Sequence, residues 1–208
     1  MHTHETFTSD PGLLVLTGMW LAMMTAMMAP VAAPWVIAFS RFGSGGAVWD
    51  ARSVVSTLSF TAGYLTAWLG YSIVAAAIQR ALVLVGVLDP QHAWSSVVAA
   101  AILIGAGAYQ FAPIKRACLT HCRNPITYFL TRWRNGSAAG FRLGLGHGVF
   151  CVGCCWALMA LALVVGMTNA LWMIALTAAV FVEQVVQHGH RLRIPLGIAL
   201  IASGLLRL

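Results

Sequence analysis

Charge is what this chain has least of. Of 208 residues only 5 are acidic and 12 are Lys or Arg, so 8% are charged against 60% apolar. Water-soluble domains carry about a quarter charged residues, so this scarcity excludes an ordinary soluble domain and points to an integral membrane protein, with the lipid bilayer as its first partner. Acidic residues are almost missing from the apolar runs, which disfavours the carboxylate cages that hold Mg(II), Ca(II) or Mn(II). The net charge of +7 does not indicate nucleic acid, because long apolar runs separate the cations and no basic face with interleaved aromatics forms. There is no internal repeat of the kind that marks many transporters and no low-complexity tract. A nucleophile, base and orienting-acid set is missing too, so a hydrolase is disfavoured and a catalytic role is not indicated. The leader MHTHETFTSD has no Lys or Arg and so lacks the basic n-region of a cleaved signal peptide; the first helix is expected to stay, and His2 and His4 are given no role.

What is there is apolar sequence in helix-length runs. Taking about 20 apolar residues as one crossing, the runs predict helices near 12–39, 54–79, 94–113, 141–165, 170–187 and 194–207. The expectation is an all-α, polytopic transmembrane bundle in a single domain over 1–208, with five or six spans, since the last segment is short and holds Pro195. Basic residues gather in alternate loops: Arg41 and Arg52 in the first, Lys115, Arg116, Arg123, Arg132, Arg134 and Arg142 in or beside the third, Arg191 and Arg193 in the fifth. By the positive-inside rule the N-terminus lies outside a bacterial inner (cytoplasmic) membrane, and loop 114–140 is cytoplasmic. Trp35, Trp94, Trp133 and Trp172 fall near predicted interfaces, as an aromatic belt requires. Trp20, Trp68 and Trp156 fall at depth, where an indole packs the bundle or walls a site.

The reactive residues concentrate in GFRLGLGHGVFCVGCCWALM, Gly140 to Met159. At roughly 100° per residue, His147, Cys151 and Cys155 follow one slanting stripe and Cys154 lies beside it, so four metal-capable groups share a face. Gly140, Gly144 and Gly148 form a G-x-x-x-G ridge that lets another backbone approach closely. The thiols lie about nine to thirteen residues in from Arg142, near mid-membrane at about 1.5 Å per residue. Free cysteines also serve as small core residues, but three in five positions with a histidine one turn away favour soft-metal ligation.

Other groups add to this set. The first helix carries Met19, Met23 and Met27 in one row and Met24 and Met28 in the next; thioethers favour Cu(I), although Met is also the adaptable filler of cores. In FAPIKRACLTHCRNP, Cys118 and Cys122 are four apart between Pro113 and Pro125, a C-x3-C half-site on one short helix or a pair of buried small residues. Glu183 is the one acidic residue inside a predicted span, a functional candidate by position or a rim carboxylate paired with Arg191.

MWLAMMTAMMAP, YQFAPIKRACLTHCRNP and GLGHGVFCVGCCWALMALALVVGMTN, followed by a glutamate in the next helix, resemble a bacterial family of predicted metal-binding integral membrane proteins. The resemblance runs from the first helix through the fifth. It implies metal binding and names no substrate. A Glu-Lys pair is common in that family where this chain has Glu183-Gln184, so here that lysine is missing from any salt bridge. The leading expectation is a Cu(I)-handling protein, with zinc as the second metal. Cys151, Cys154 and Cys155 supply thiolates, His147 or Met23 and Met27 complete the site, and Cys118 with Cys122 forms a pair at the cytoplasmic mouth. Its partners would be a metal-receiving protein or other membrane subunits. Two further readings stand beside it: an auxiliary subunit of a larger membrane metalloenzyme, and a thiol oxidoreductase using Cys151 and Cys154.

Overall fold

The computed structural model describes residues 12–43, 51–86, 96–133, 137–165 and 169–208. Among them the chain is helical, with no strand. The order is α1 (Leu13–Gly43), α2 (Ala51–Leu84), α3 (Ser96–Tyr109), α4 (Pro113–Cys122), α5 (Pro125–Arg132), α6 (Ser137–Val165), α7 (Ala170–Val185) and α8 (Arg193–Leu205), with a 3-10 turn, Gly189–Leu192, before the last helix. All six expected helices have a counterpart, but among the described residues three or four candidate spans stand where five or six were expected. Helices α1, α2 and α6 are long and apolar enough to cross a membrane, and α3 with α4 makes a fourth candidate, bent by 64° between them. At 16 and 13 residues, α7 and α8 are shorter than a full crossing of about 20. The leader, Trp94 and Asn135-Gly136 lie outside the described residues.

Helix α6 is the axis of the bundle, and its glycine ridge decides what it packs on. A Cβ on Gly144 would overlap the carbonyl oxygen of Phe60, and one on Gly63 of α2 would lie 2.8 Å from the backbone nitrogen of Leu145. The ridge Gly140, Gly144, Gly148 runs against Ser56, Phe60 and Tyr64 of α2, residue spacing matched to residue spacing. The two helices therefore pass backbone to backbone, as small-residue ridges allow.

Helix α1 turns the row Trp20, Met24, Met28, Val31, Trp35 and Phe39 inward, a sequence of i, i+3 and i+4 steps that keeps to one face. Pro30 and Pro34 lie inside the helix and do not end it. The i, i+4 row Met19, Met23, Met27 is split by this choice: Met27 is buried, Met23 half-buried and Met19 exposed. Two tryptophan expectations are corrected. Trp35 is buried in an aromatic cluster with Phe39, Phe60, Tyr128 and Phe129 and is not turned outward as a belt residue would be, because the inward row of α1 carries it there. Trp156 is 43% exposed, since it follows Cys155 by one residue and so points off the cysteine face. Trp20 and Trp68 are buried as expected.

The segment between α3 and α6 folds inward. Pro113 and Pro125 open α4 and α5 as first-turn residues, where the missing N–H has no helical partner to lose. On α4, Lys115, Leu119 and Cys122 are buried, an i, i+4, i+7 stripe that faces α6 while Arg116 and Thr120 stay exposed. That stripe carries a thiol and an ammonium from a nominal loop into the core.

Candidate metal centre

Cys151, Cys154 and Cys155 occupy i, i+3 and i+4 of α6, and all three are essentially inaccessible to solvent. Their Sγ atoms lie within 4.8 Å of one another. Cys154 and Cys155 each donate to the carbonyl oxygen of Cys151, at 3.1 and 2.9 Å. Both thiols are thus folded back over the preceding turn, the direction helical side chains take, and this back-folding is what gathers them. All five cysteines are free thiols.

A fourth thiol comes from α4. Cys122 Sγ lies 3.8 Å from Cys154 Sγ. Cys118 does not join it: its Sγ sits over α6, 2.9 Å from where a Cβ on Gly153 would stand, and the residue is half-buried. Within the C-x3-C pair, Cys122 is turned to the α6 thiols and Cys118 lies against the bare Gly153 of the same helix.

Neighbouring helices wall the cluster with polar groups. Tyr64 of α2 places its hydroxyl 3.4 Å from Cys151 Sγ, and Cys151 Sγ donates toward Gln184 Oε1 of α7 at 3.8 Å. Met24, Met27, Met28 and Met159 belong to the same contiguous buried core as the four cysteines, and Met23 packs against its edge.

His147 is buried one turn before Cys151. Its ring is stacked on Trp35, with centroids 3.7 Å apart and planes at 16°, and faces Tyr64 at 5.5 Å. It stands outside the tight three-thiol group. Trp35 in turn donates from Nε1 to the carbonyl oxygen of Cys122 at 3.0 Å. One indole thus ties α1 to both the histidine and the backbone of Cys122 on α4, a role that hydropathy position alone does not disclose.

Glu183 is placed differently from the rim expectation. It is buried and paired with Lys115, Nζ to Oε2 at 2.7 Å, not with Arg191. Lys115 also donates to Gln110 Oε1, and Arg123 donates from Nη1 to the backbone oxygen of Glu183 at 2.8 Å. A cation from 68 residues earlier supplies the charge that the position after Glu183 lacks. The signal was present in α4, where Lys115 shares the i, i+4, i+7 stripe with Leu119 and Cys122. Glu183 is thereby engaged as a counter-ion through Oε2, while its Oε1 is buried without a hydrogen-bond partner; the donor atoms that converge within 4.8 Å of one another are the three thiols of α6.

Comparison with known proteins narrows the chemistry. A family model described as "PpoB2: Copper chaperone" matches residues 17–207. The chain belongs to this copper chaperone family. No curated protein and no solved structure matches it. The resemblance to metal-binding proteins seen in the sequence agrees with that membership, and so does the donor set of this copper chaperone family member. Converging thiols with thioethers in the same core make a soft donor set, the kind that favours copper over hard cations.

Proposed function

We propose that this protein is an integral membrane copper chaperone. It takes up Cu(I) as cargo on the thiolates of Cys151, Cys154 and Cys155, with Cys122 as the ligand supplied by α4, and hands it to a receiving protein. The observation that carries this reading is the convergence of three thiols within 4.8 Å with a fourth at 3.8 Å from Cys154, in a core whose other soft donors are methionines. Thiolates bind Cu(I) in preference to carboxylate-seeking ions, and each thiolate formed on binding releases a proton. Membrane integration is supported by three helices of spanning length and by outward apolar side chains such as Leu58, Val74, Val149 and Ile198, a surface that hydrocarbon would cover.

Cys122 differs from its three partners in where it comes from. The α6 thiols are fixed to one rigid helix, whereas Cys122 ends a ten-residue helix bounded by bends. A ligand on a separate short element is the natural one to exchange during uptake and release. His147 and Met27 stand as reserve donors near the cluster, His147 oriented by its stack on Trp35. A thiol oxidoreductase fits less well, because exchange needs an accessible sulfur and both Cys151 and Cys154 are buried.

The test is copper content of anaerobically purified protein, wild type beside Cys151→Ser/Cys154→Ser/Cys155→Ser. Near-stoichiometric copper in the wild type and its loss in a folded triple variant are expected. Stoichiometric copper retained by the variant would sink the assignment.

A further inference from the structure

A cavity of about 640 Å³ opens beside α4, walled also by the end of α7, the 3-10 turn and the start of α8. Arg116, Thr120, Arg123, Asn124, His190 and Arg193 line it. No carboxylate does, and the chain has none to spare there: among the described residues Glu183 is the one acidic side chain, and it is paired with Lys115. Three guanidinium groups are held around one space that no carboxylate lines; Arg116 and Arg193 repel each other across it, the charge of Glu183 offsets only part of that, and a ligand of opposite charge relieves the rest. Two of the three are also braced. Arg123 Nη1 is bonded to the backbone oxygen of Glu183 at 2.8 Å, and Arg193 Nη1 to that of Gln110 at 3.2 Å. Each keeps further N–H groups, and a positioned guanidinium fork matches a carboxylate or phosphate. His190 stands in the same field: partial desolvation, then Arg123, Arg191, His188 and Arg193, hold its imidazole below the usual value.

The cavity shares its main wall with the copper site. Leu119 lines it and belongs to the buried stripe of α4 that ends at Cys122, while Arg123 is the residue next to Cys122. A copper donor anchored in the cavity is thus brought to the helix that carries the separate thiol. Cu(I) in thiol-containing solution is held by thiolates, so a small thiol bearing carboxylates would present both the charge that the arginines bind and the ion that the cysteines bind.

We infer that this cavity docks the copper donor, a small anionic thiolate complex of Cu(I), through Arg116, Arg123 and Arg193. The inference rests on the copper reading above. The step is a ligand exchange: a Cu–S bond to Cys122 forms as a Cu–S bond to the carrier breaks. The Cys122 proton passes to the departing thiolate or to solvent, and copper stays Cu(I) throughout.

The experiment compares the rate of copper transfer from two carriers of opposite charge, Cu(I)–mercaptosuccinate and Cu(I)–cysteamine, to the full chain in neutral detergent at low ionic strength. Transfer from mercaptosuccinate is expected to be at least about ten-fold faster, within the range electrostatic steering gives, and that advantage is expected to vanish in Arg116→Gln/Arg193→Gln. Copper content at equilibrium reads the thiol cluster separately and confirms that the variant is folded. Arg132→Gln, on a different surface, is expected to keep the advantage. Equal rates from the two carriers, or an advantage that survives the double substitution, would overturn the inference. Because an anionic lipid headgroup offers the same oxyanion chemistry, the comparison is repeated in nanodiscs of phosphatidylcholine and of phosphatidylglycerol. An advantage abolished by phosphatidylglycerol alone would assign the cavity to a headgroup and overturn donor docking; one kept in both lipids supports it. Failure to bind copper from either carrier would strike the copper reading itself.

Discussion

Helix α6 is met on two sides by different kinds of contact. Toward α2 it offers bare glycines, and the contact is backbone on backbone, Gly144 against Phe60 and Gly63 against Leu145. Toward α4 it offers thiols, and the contact is sulfur on sulfur, Cys154 against Cys122; the same stripe of α4 carries Lys115, paired with Glu183 of α7. Both seams use small residues, but the first leaves no room between the backbones, while the second sets a thiol of a short helix against the thiols of α6. On the proposed function, a close-packed seam on one side would hold the α6 thiols in place while the α4 ligand exchanges on the other.

If that division holds, substitutions on the two sides fail differently. Gly144→Leu drives a side chain into the Phe60 carbonyl; overpacking of this kind costs about 3 kcal/mol or more, and loss of folded protein in detergent chromatography is expected, with copper binding lost as a consequence. Lys115→Met leaves Glu183 buried without its cation and is expected to destabilise by about 3–5 kcal/mol. Lys115→Met/Glu183→Leu removes both charges and is expected to recover most of that stability in thermal unfolding. A double variant no better than the single one would mean that the pair is not an isolated electrostatic unit. Cys122→Ser is expected to lower copper affinity by more than the roughly 10-fold that even an outer-shell change costs, while the melting temperature barely moves; competition with a Cu(I) chelator reads it. Trp35→Phe deletes the hydrogen bond to the Cys122 carbonyl and is expected to cost about 1 kcal/mol, with a small loss of copper affinity through the misplacement of Cys122 and His147.

Much of the helical frame was legible because apolar runs of span length and a glycine ridge are local signals. The face shared by His147, Cys151, Cys154 and Cys155 follows from helical geometry alone, and all four are buried together. Contacts between distant segments were not legible in that way. Cys122 meets Cys154 across 32 residues and Lys115 meets Glu183 across 68, and no periodicity encodes either meeting. Reading 114–140 as a loop from its basic residues obscured the inward stripe of α4. Trp35 was misplaced for a related reason: distance from a helix end sets depth along the bundle, whereas the inward row of α1 sets which side chains enter it.

The measurement that tests the proposed copper-thiolate centre most directly is X-ray absorption of the Cu(I)-loaded protein beside Cys122→Ser. A first shell made of sulfur in the wild type, with one sulfur fewer in the variant, is expected. A shell dominated by nitrogen or oxygen, or one unchanged by Cys122→Ser, would contradict a thiolate site completed by α4.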